Sequence, residues 1–354
     1  MTARGTDWSL AALVALLAAT GIGTAFAGAG GDSWVFVVHG AAGFALGGTL
    51  GWKLRRVLGR LRRPSRWDRR TRLGVVTLAS VTSVLVSGWA WSAGAASSLT
   101  VAGYNLLNAH VVLGVVLSAL VLGHALVRAK RPRRADLASR RQFLRWAAVG
   151  TGSLAVWWLQ DPISTAVGLR GGRRRFTGSY EADSFAGNVF PTTSWVSDSP
   201  RVLDRRRHTV EVVGLVDRPA RLSVGQLDRG DSLVATLDCT GGFHSRQRWR
   251  GVRLGRLLDG TGVQDGADHV RVISHTGYRY SFAIADARRM LLAVSVGDEP
   301  LSHGHGAPVR LVAPGHRGFQ WVKWVVRIEV HEGSDPGALA STVWSSFTPE
   351  GRGA

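Results

Sequence analysis

The sequence predicts a membrane α-helical bundle, four helices plus a fifth anchor helix, followed by an α+β domain with a mixed β-sheet. Three observations predict it. The N-terminal half holds four long apolar runs, basic residues are confined to alternate connections, and the C-terminal half alternates short β-rich runs with turns. The divisions fall at 1–135 for the four-helix domain, 136–170 for the anchor segment and 171–354 for an extracytoplasmic domain. A formal net charge of +20 would suit nucleic acid, but the charge is concentrated between apolar stretches. Nucleic acid is excluded as a partner, and the lipid bilayer takes its place.

The apolar runs lie at about 8–28, 33–52, 73–93 and 104–127, each near the ~20 residues that span a bilayer core. The connection 53–72 carries Lys53, Arg55, Arg56, Arg60, Arg62, Arg63, Arg66, Arg69, Arg70 and Arg72 against one acid, Asp68. Arg128, Lys130, Arg131, Arg133 and Arg134 follow the fourth run, whereas 29–32 and 94–103 hold no basic residue. Positive charge stays on the cytoplasmic side, which puts the N-terminus inside.

Histidine inside an apolar span is a functional candidate by default. His39 and His110 each lie about six residues into a span that begins on the outer side, so their imidazoles share a depth. Gly40, Gly43 and Gly114 leave room for a flat macrocycle between helices. One b-type haem with His39 and His110 as iron ligands fits this arrangement; two histidines hydrogen-bonding neighbouring helices is the plainer alternative. His124 lies fourteen residues after His110, ~21 Å along the axis and nearly on the same face. The second span offers only Gly51 and Trp52 as partners at that depth, so His124 is interfacial or helps a quinone or proton path.

Ser139-Arg140-Arg141-Gln142-Phe143-Leu144-Arg145 precedes a modestly apolar stretch, Trp146 to Leu159. Paired arginines before such a stretch form the twin-arginine pattern, an address read by a bacterial export machine that carries folded proteins. The plainer alternative is the basic flank of an ordinary fifth helix. Both put 170–354 outside a bacterial cell membrane.

In the C-terminal half, β-rich runs occur at His208–Val213, Leu233–Leu237, His269–Ser274, Val309–Val312 and Val322–Val330, with Asp286–Ala293 a candidate helix. Cys239 is the only cysteine in the chain. It follows an apolar run and precedes the turn residues Gly241-Gly242, where backbone can approach a ligand closely. With no partner for a disulfide, its use is packing, redox chemistry or metal ligation.

Three blocks in this half resemble the sulfite oxidase superfamily of molybdopterin enzymes. The first is Thr236-Leu237-Asp238-Cys239-Thr240-Gly241-Gly242 with Trp249-Arg250-Gly251-Val252-Arg253-Leu254. The second is Gly297-Asp298-Glu299-Pro300-Leu301 with His305-Gly306-Ala307-Pro308-Val309-Arg310-Leu311-Val312. The third is Pro314-Gly315, Gly318-Phe319-Gln320-Trp321-Val322-Lys323-Trp324 and Ile328-Glu329-Val330. They lie in family order over about 185–331. The plan resembles the monomeric periplasmic reductases, including the methionine-sulfoxide reductase catalytic subunit, here fused to a cytochrome b-like membrane domain.

The resemblance implies a sulfite-oxidase-type molybdopterin domain with Cys239 as molybdenum ligand. It further implies cofactor contacts at Asn188, Ser274 or Thr276, His305, Arg310, Trp321, Val322 and Lys323. A soft thiolate suits high-valent molybdenum, and a guanidinium with an ammonium suits a pterin phosphate. Arg246 and Arg248, with His244, are candidates for holding an oxyanion substrate, the alternative being a solvated turn. The expected function is oxygen-atom transfer, either sulfite oxidation or reduction of a sulfoxide or other oxide. Electrons pass through a haem b membrane domain to or from a quinone or another membrane carrier, and the protein is expected as a monomer. The alternative is a cofactor-free membrane sensor or ligand-binding protein on a degenerate molybdopterin domain.

Overall fold

A computed structural model of the chain describes residues 2–101, 104–128, 140–193, 198, 200–338 and 340. Two compact units divide at Tyr180 and Glu181.

The first unit is helical. Helices α1 (Ala3–Phe26), α2 (Ser33–Leu61), α3 (Arg69–Ala93) and α4 (Leu106–Arg128) are followed by α5 (Arg140–Ala166), with a small hairpin, β1 (Thr100–Val101) and β2 (Tyr104–Asn105), before α4. Caps set the ends. Thr2 accepts from the Gly5 amide at 3.0 Å to start α1, and Asp68 accepts from the Thr71 amide at 2.7 Å to start α3. Gly94 closes α3 with φ +76°, the left-handed conformation that costs a glycine nothing. Helix α1 packs on α2 and α4, α3 on α4, and α2 on α5. Their apolar centre takes one residue from each of the first four helices: Val14, Leu46, Val81 and Leu117.

Four helices, α1 to α4, are long and apolar enough to cross a membrane. Helix α5 spans 27 residues, and is not among them; Arg140, Arg141, Gln142, Arg145, Gln160 and Asp161 dilute it. Arg140 and Arg141 open this helix, while Ser139 and the basic residues Lys130, Arg131, Arg133 and Arg134 lie outside the described residues. Helix α2 continues through Lys53, Arg55, Arg56 and Arg60 to Leu61, where the basic connection was expected to be a loop. Lysine and arginine are good helix formers whose apolar stems lie along the helix while their charges reach outward. Lys53 pairs with Asp7 at 2.9 Å.

Residues 170–180 belong to the helical unit, although composition placed the domain break at 170. Arg174 pairs with Asp161 and donates to the Ser92 carbonyl at 3.1 Å. Trp91 donates to the Gly178 carbonyl at 2.9 Å, and the Tyr180 hydroxyl donates to the Trp91 carbonyl at 2.5 Å. These bonds tie the segment to the ends of α3 and α5.

The second unit follows a two-residue strand, β3 (Tyr180–Glu181). Its elements are β4 (Thr209–Gly214), β5 (Ala220–Ser223), a turn of helix α6 (Val224–Leu227), β6 (Asp231–Asp238), β7 (Phe243–Arg253) and α7 (Leu254–Thr261). Then come β8 (His269–Ser274), β9 (Arg279–Ala283), α8 (Ile284–Ala287), β10 (Leu291–Val296), β11 (Glu299–Pro300), β12 (Arg310–Val312) and β13 (Val325–His331). One sheet runs β5-β4-β13-β8-β9 and is mixed, because β4 and β13 are parallel and the other pairs antiparallel. In the other, β10 pairs antiparallel with β7, β11 and β12, and β6 pairs with β7. One apolar core serves both sheets, including Val210, Val212, Val272 and Ile328 of the first and Trp249, Val252, Leu291 and Leu292 of the second.

Strands of the mixed sheet alternate as half-buried strands must. Val210 and Val212 are fully buried, while Glu211 between them bonds Arg221 of β5 at 2.6 Å and Arg327 of β13 at 3.0 Å. On β8, Arg271 bonds Glu329 of β13 at 3.0 Å and Asp335 at 2.9 Å, and Arg279 of β9 reaches the same Asp335 at 2.8 Å. The outer face is a lattice of charge.

The helix expected at Asp286–Ala293 is instead the single turn α8 followed by strand β10. Residues Leu291 to Val294 are all buried, because β10 lies between other strands and is covered on both faces. A continuous apolar run of that kind carries no alternation to distinguish it from a helix.

Candidate functional site

Cys239 lies just past the end of β6, 7% exposed. Its amide donates to the Phe243 carbonyl at 2.8 Å, and the Gly242 amide returns to the Cys239 carbonyl at 3.1 Å, closing a tight turn. Its Sγ has two neighbours able to donate, the Gly241 amide at 3.2 Å and the Thr193 hydroxyl at 3.4 Å. A buried ion pair fixes the backbone beneath. Arg317 Nη1 lies 2.7 Å from Asp238 Oδ1, with both side chains under 5% exposed at 4% and 3%, and Arg317 Nη2 reaches the Cys239 carbonyl at 3.4 Å. Gly318 passes so close that a Cβ there would lie 3.1 Å from the Cys239 Cα.

Neither Asp238 nor Arg317 was singled out from the sequence. The available signal was an acid at the end of an apolar strand, where burial demands a partner. Asp238→Ala should cost about 3–5 kcal/mol, since it strips a buried guanidinium of its carboxylate; chemical unfolding of the protein, followed by tryptophan fluorescence, measures it.

Arg310 and Lys323 converge nearby. Arg310, on β12, is 1% exposed. Its guanidinium lies 5.0 Å from the Trp249 ring centre and 5.7 Å from that of Trp321. Nη1 donates to the His305 carbonyl at 3.0 Å, while Nε is buried with no partner among the described residues. Burial pushes Arg310 down to about 9; arginine keeps its proton regardless, so the cost falls on the folded domain until an anion arrives. Lys323 donates to the Gly304 carbonyl at 2.6 Å and the Thr193 carbonyl at 2.7 Å. Burial, reinforced by the Arg310 charge, pushes its ammonium down to about 7, against the opposing pull of Cys239 and Asp198. Gly306, at φ +99°, makes the convergence possible: a Cβ there would stand 3.0 Å from the Lys323 Cβ and 3.1 Å from the Arg310 Cβ.

A soft thiol, a tight glycine approach and two desolvated cations, one with an orphaned nitrogen, suit a metal bound through sulfur and carried on an anionic organic group. The family model agrees. Residues 197–339 match the model of the oxidoreductase molybdopterin binding domain. These residues resemble a molybdopterin-binding oxidoreductase domain, over less than half of the chain. The nitrate reductase (NAD(P)H) of Hordeum vulgare is 33% identical over 158 residues, which is 34% of this chain and 18% of that one. A nitrate reductase (NADH) of Phaseolus vulgaris is 31% identical over 161 residues, 35% of this chain and 18% of that one. The chain thus spans less than a fifth of the length of these relatives. Among solved structures, the sulfane dehydrogenase SoxCD of Paracoccus pantotrophus aligns with a TM-score of 0.36 at 25% identity, covering 38% of this chain and 40% of that one.

The molybdopterin domain treats the other expected contacts unequally. Ser274 Oγ lies 3.1 Å from Thr276 Oγ1, which donates to Asp198 at 2.9 Å. Burial raises the Asp198 carboxyl, while Thr276 and the Lys323 charge lower it, so this hydroxyl chain ends in a carboxylate that feels the Lys323 charge. Asn188 donates to the Pro300 carbonyl at 2.9 Å and accepts from the Ser302 amide at 2.8 Å; its amide holds the loop that carries His305. His305 has Nε2 2.9 Å from the Phe190 carbonyl and Nδ1 2.7 Å from the Ser302 hydroxyl, and burial with the Arg310 charge pushes it down to about 4. It stays neutral, and its backbone carbonyl is what serves Arg310. Trp321 gives the ring face under Arg310, and its indole N–H goes to the His316 carbonyl at 3.2 Å. The Val322 amide and carbonyl are both taken by protein partners, Gln320 and Leu311.

Arg246 and Arg248 stand apart from Cys239. The segment is strand, not turn: β7 pairs with β6 so that Arg246 faces Thr236 and Arg248 faces Val234. The pleat sends both to the exposed side, while Ser245, Gln247 and Trp249 take the buried side, to which Leu237 also points. Arg246 lies over the Phe185 ring at 5.8 Å. The structure does not bring these two arginines to the thiol.

Loss of Lys323 charging on folding has a testable sign. Between about 7 and its ordinary value of 10.5, the unfolded chain holds a proton that the folded one releases, so stability rises with pH across that window. Cofactor-free protein should therefore melt at higher temperature as pH goes from 7 to 10, and Lys323→Met should flatten that slope.

In the helical unit, the His39 and His110 ring centres are 6.2 Å apart with planes at 86°. His110 Nδ1 donates to the Val84 carbonyl at 3.0 Å. His39 Nδ1 lies 2.9 Å from Thr20 Oγ1, whose own proton goes to the Leu16 carbonyl at 2.7 Å, so His39 is the donor there. Nε2 is then the unprotonated nitrogen of both rings. Two further glycines admit the imidazole rings themselves. A Cβ at Gly88 would come within 2.7 Å of His110, and one at Gly21 within 3.4 Å of His39. Gly40 is filled by Trp157 of α5, whose Cζ3 would lie 2.0 Å from a Cβ, while Gly43 and Gly114 face open space.

Proposed function

We propose that the chain is a membrane-anchored molybdenum oxidoreductase whose helical unit carries one haem b as electron conduit. The observation that carries the first part is Arg310, a fully buried cation with an unpartnered Nε beside a depressed Lys323 and the sole cysteine. Cys239 would ligate the metal, and Arg310 and Lys323 would hold the phosphate of the pterin. A bound molybdenum pterin supplies two-electron oxygen-atom transfer, with water as source or sink of the oxygen. The chain's own work is to present one thiolate, neutralise the phosphate charge and keep the site dry beneath Trp249 and Trp321. Suitable substrates are small oxyanions and sulfoxides: sulfite in the oxidising direction, sulfoxides or nitrate, named for the barley relative, in the reducing one.

For the haem, the supporting observation is the 6.2 Å between ring centres. A metal–imidazole bond of ~2 Å on each side, with the further ~1 Å from nitrogen to ring centre, adds to about 6 Å. Nδ1 donation to a backbone or hydroxyl oxygen is also how ligating histidines are oriented. The group supplies one-electron transfer, with a quinone or another membrane carrier as its partner. The basic residues between α2 and α3 and after α4 favour a cytoplasmic N-terminus; with α5 as a fifth crossing the molybdopterin domain would lie outside, exported through Arg140 and Arg141 with its cofactor already inserted.

The test is metal content with turnover. Protein from a pterin-competent host should contain close to one molybdenum per chain, and either sulfite with a quinone analogue or a sulfoxide or nitrate with a quinol analogue should turn over. Protein that carries no molybdenum from such a host overturns the proposal.

A further inference from the structure

Thr193 is held in place with unusual thoroughness for an exposed residue. The stretch Phe190–Thr193 is pinned by two successive residues of one loop, Gly304 and His305, and by a lysine. His305 Nε2 donates to the Phe190 carbonyl at 2.9 Å. Thr192 packs on Gly304, where a Cβ would meet the Thr192 Cγ2 at 2.9 Å. Lys323 Nζ donates to the Thr193 carbonyl at 2.7 Å. The result places the Thr193 hydroxyl 3.4 Å from Cys239 Sγ, across 46 residues of sequence, with the Gly241 amide on the same sulfur at 3.2 Å.

We infer that Thr193 is a positioning residue for the molybdenum centre, its hydroxyl donating to the Cys239 sulfur and tuning the reduction potential of the metal bound there. This rests on the molybdenum reading above. A thiolate has no proton to give, so the threonine must be the donor once Cys239 is a ligand. Donors on a ligating sulfur withdraw charge from it and weaken its donation to the metal, which favours the reduced state. The Gly241 amide supplies one such bond that no side-chain change can remove. The threonine supplies a second that selection or design can switch on and off.

The experiment compares full-length wild type with Thr193→Val, Thr193→Ser and Thr193→Ala in redox titrations followed by the Mo(V) electron paramagnetic resonance signal. Valine keeps the shape and loses the hydroxyl; serine keeps the hydroxyl and loses the methyl. The expected result is a Mo(VI)/Mo(V) midpoint shifted to lower potential, with altered g-values, in the valine and alanine forms, and a wild-type midpoint in the serine form. Loss of bound molybdenum from the valine and alanine forms with retention in the serine form supports the same role. A wild-type midpoint in the valine form overturns the inference, as does an alanine form that matches serine instead of valine, since bulk rather than the hydroxyl would then set the potential. Wild type with no molybdenum sinks the underlying reading instead, so the two failures are told apart.

Discussion

Cys239→Ser is expected to reduce turnover to background and to strip the protein of molybdenum, with both compact units still folded. Serine differs by one atom at a site where the backbone is already secured by the Phe243 carbonyl, the Gly242 amide and the Asp238–Arg317 pair, so local structure has little reason to change. What changes is ligand softness: a hydroxyl neither ionises readily nor matches the preference of a dithiolene-bound metal for sulfur. Elemental analysis and circular dichroism of the purified variant check both halves of the claim. Retained metal with retained turnover would remove Cys239 from the centre.

His39→Ala and His110→Ala should each abolish the reduced α-band of the haem, whereas His124→Ala should keep it. The first two ring centres lie 6.2 Å apart, so on the proposed haem reading removal of either takes away one iron ligand. His124 instead packs near Gly74, where a Cβ would lie 3.8 Å from its ring, some four turns of α4 away from His110. Reduced-minus-oxidised spectra of membranes give the answer directly. A spectrum that survives loss of His39 but not of His124 reverses the assignment.

How far the fold could be read from the chain depended on how local its determinants were. The four long apolar helices were legible because hydropathy over ~20 residues is a one-dimensional property. The extension of α2 to Leu61 was not, because charge marks the membrane boundary and says nothing about where helical hydrogen bonding stops. Strand β10 was misread because a strand buried on both faces looks like a helix. Cys239, Arg310 and Lys323 were legible through their flanking motifs. Asp238 and Arg317 were not, since their partnership joins residues 79 apart in sequence. Arg246 and Arg248, candidates for an oxyanion contact or a solvated turn, lie instead on strand β7, whose period of two sends both to its exposed face.

The charged lattice on the outer face of the mixed sheet bears on how the domain avoids misassembly. Arg221, Glu211 and Arg327 line up across three strands, and Arg271 stands opposite Glu329 on the neighbouring pair. Sliding any one strand by a single residue would turn its valines to water and its arginines into the core, while separating every one of these pairs. Wrong registers are therefore penalised twice, once by lost burial and once by stranded charge. A nascent domain is thus steered to its final pairing by its charged face as well as by its core.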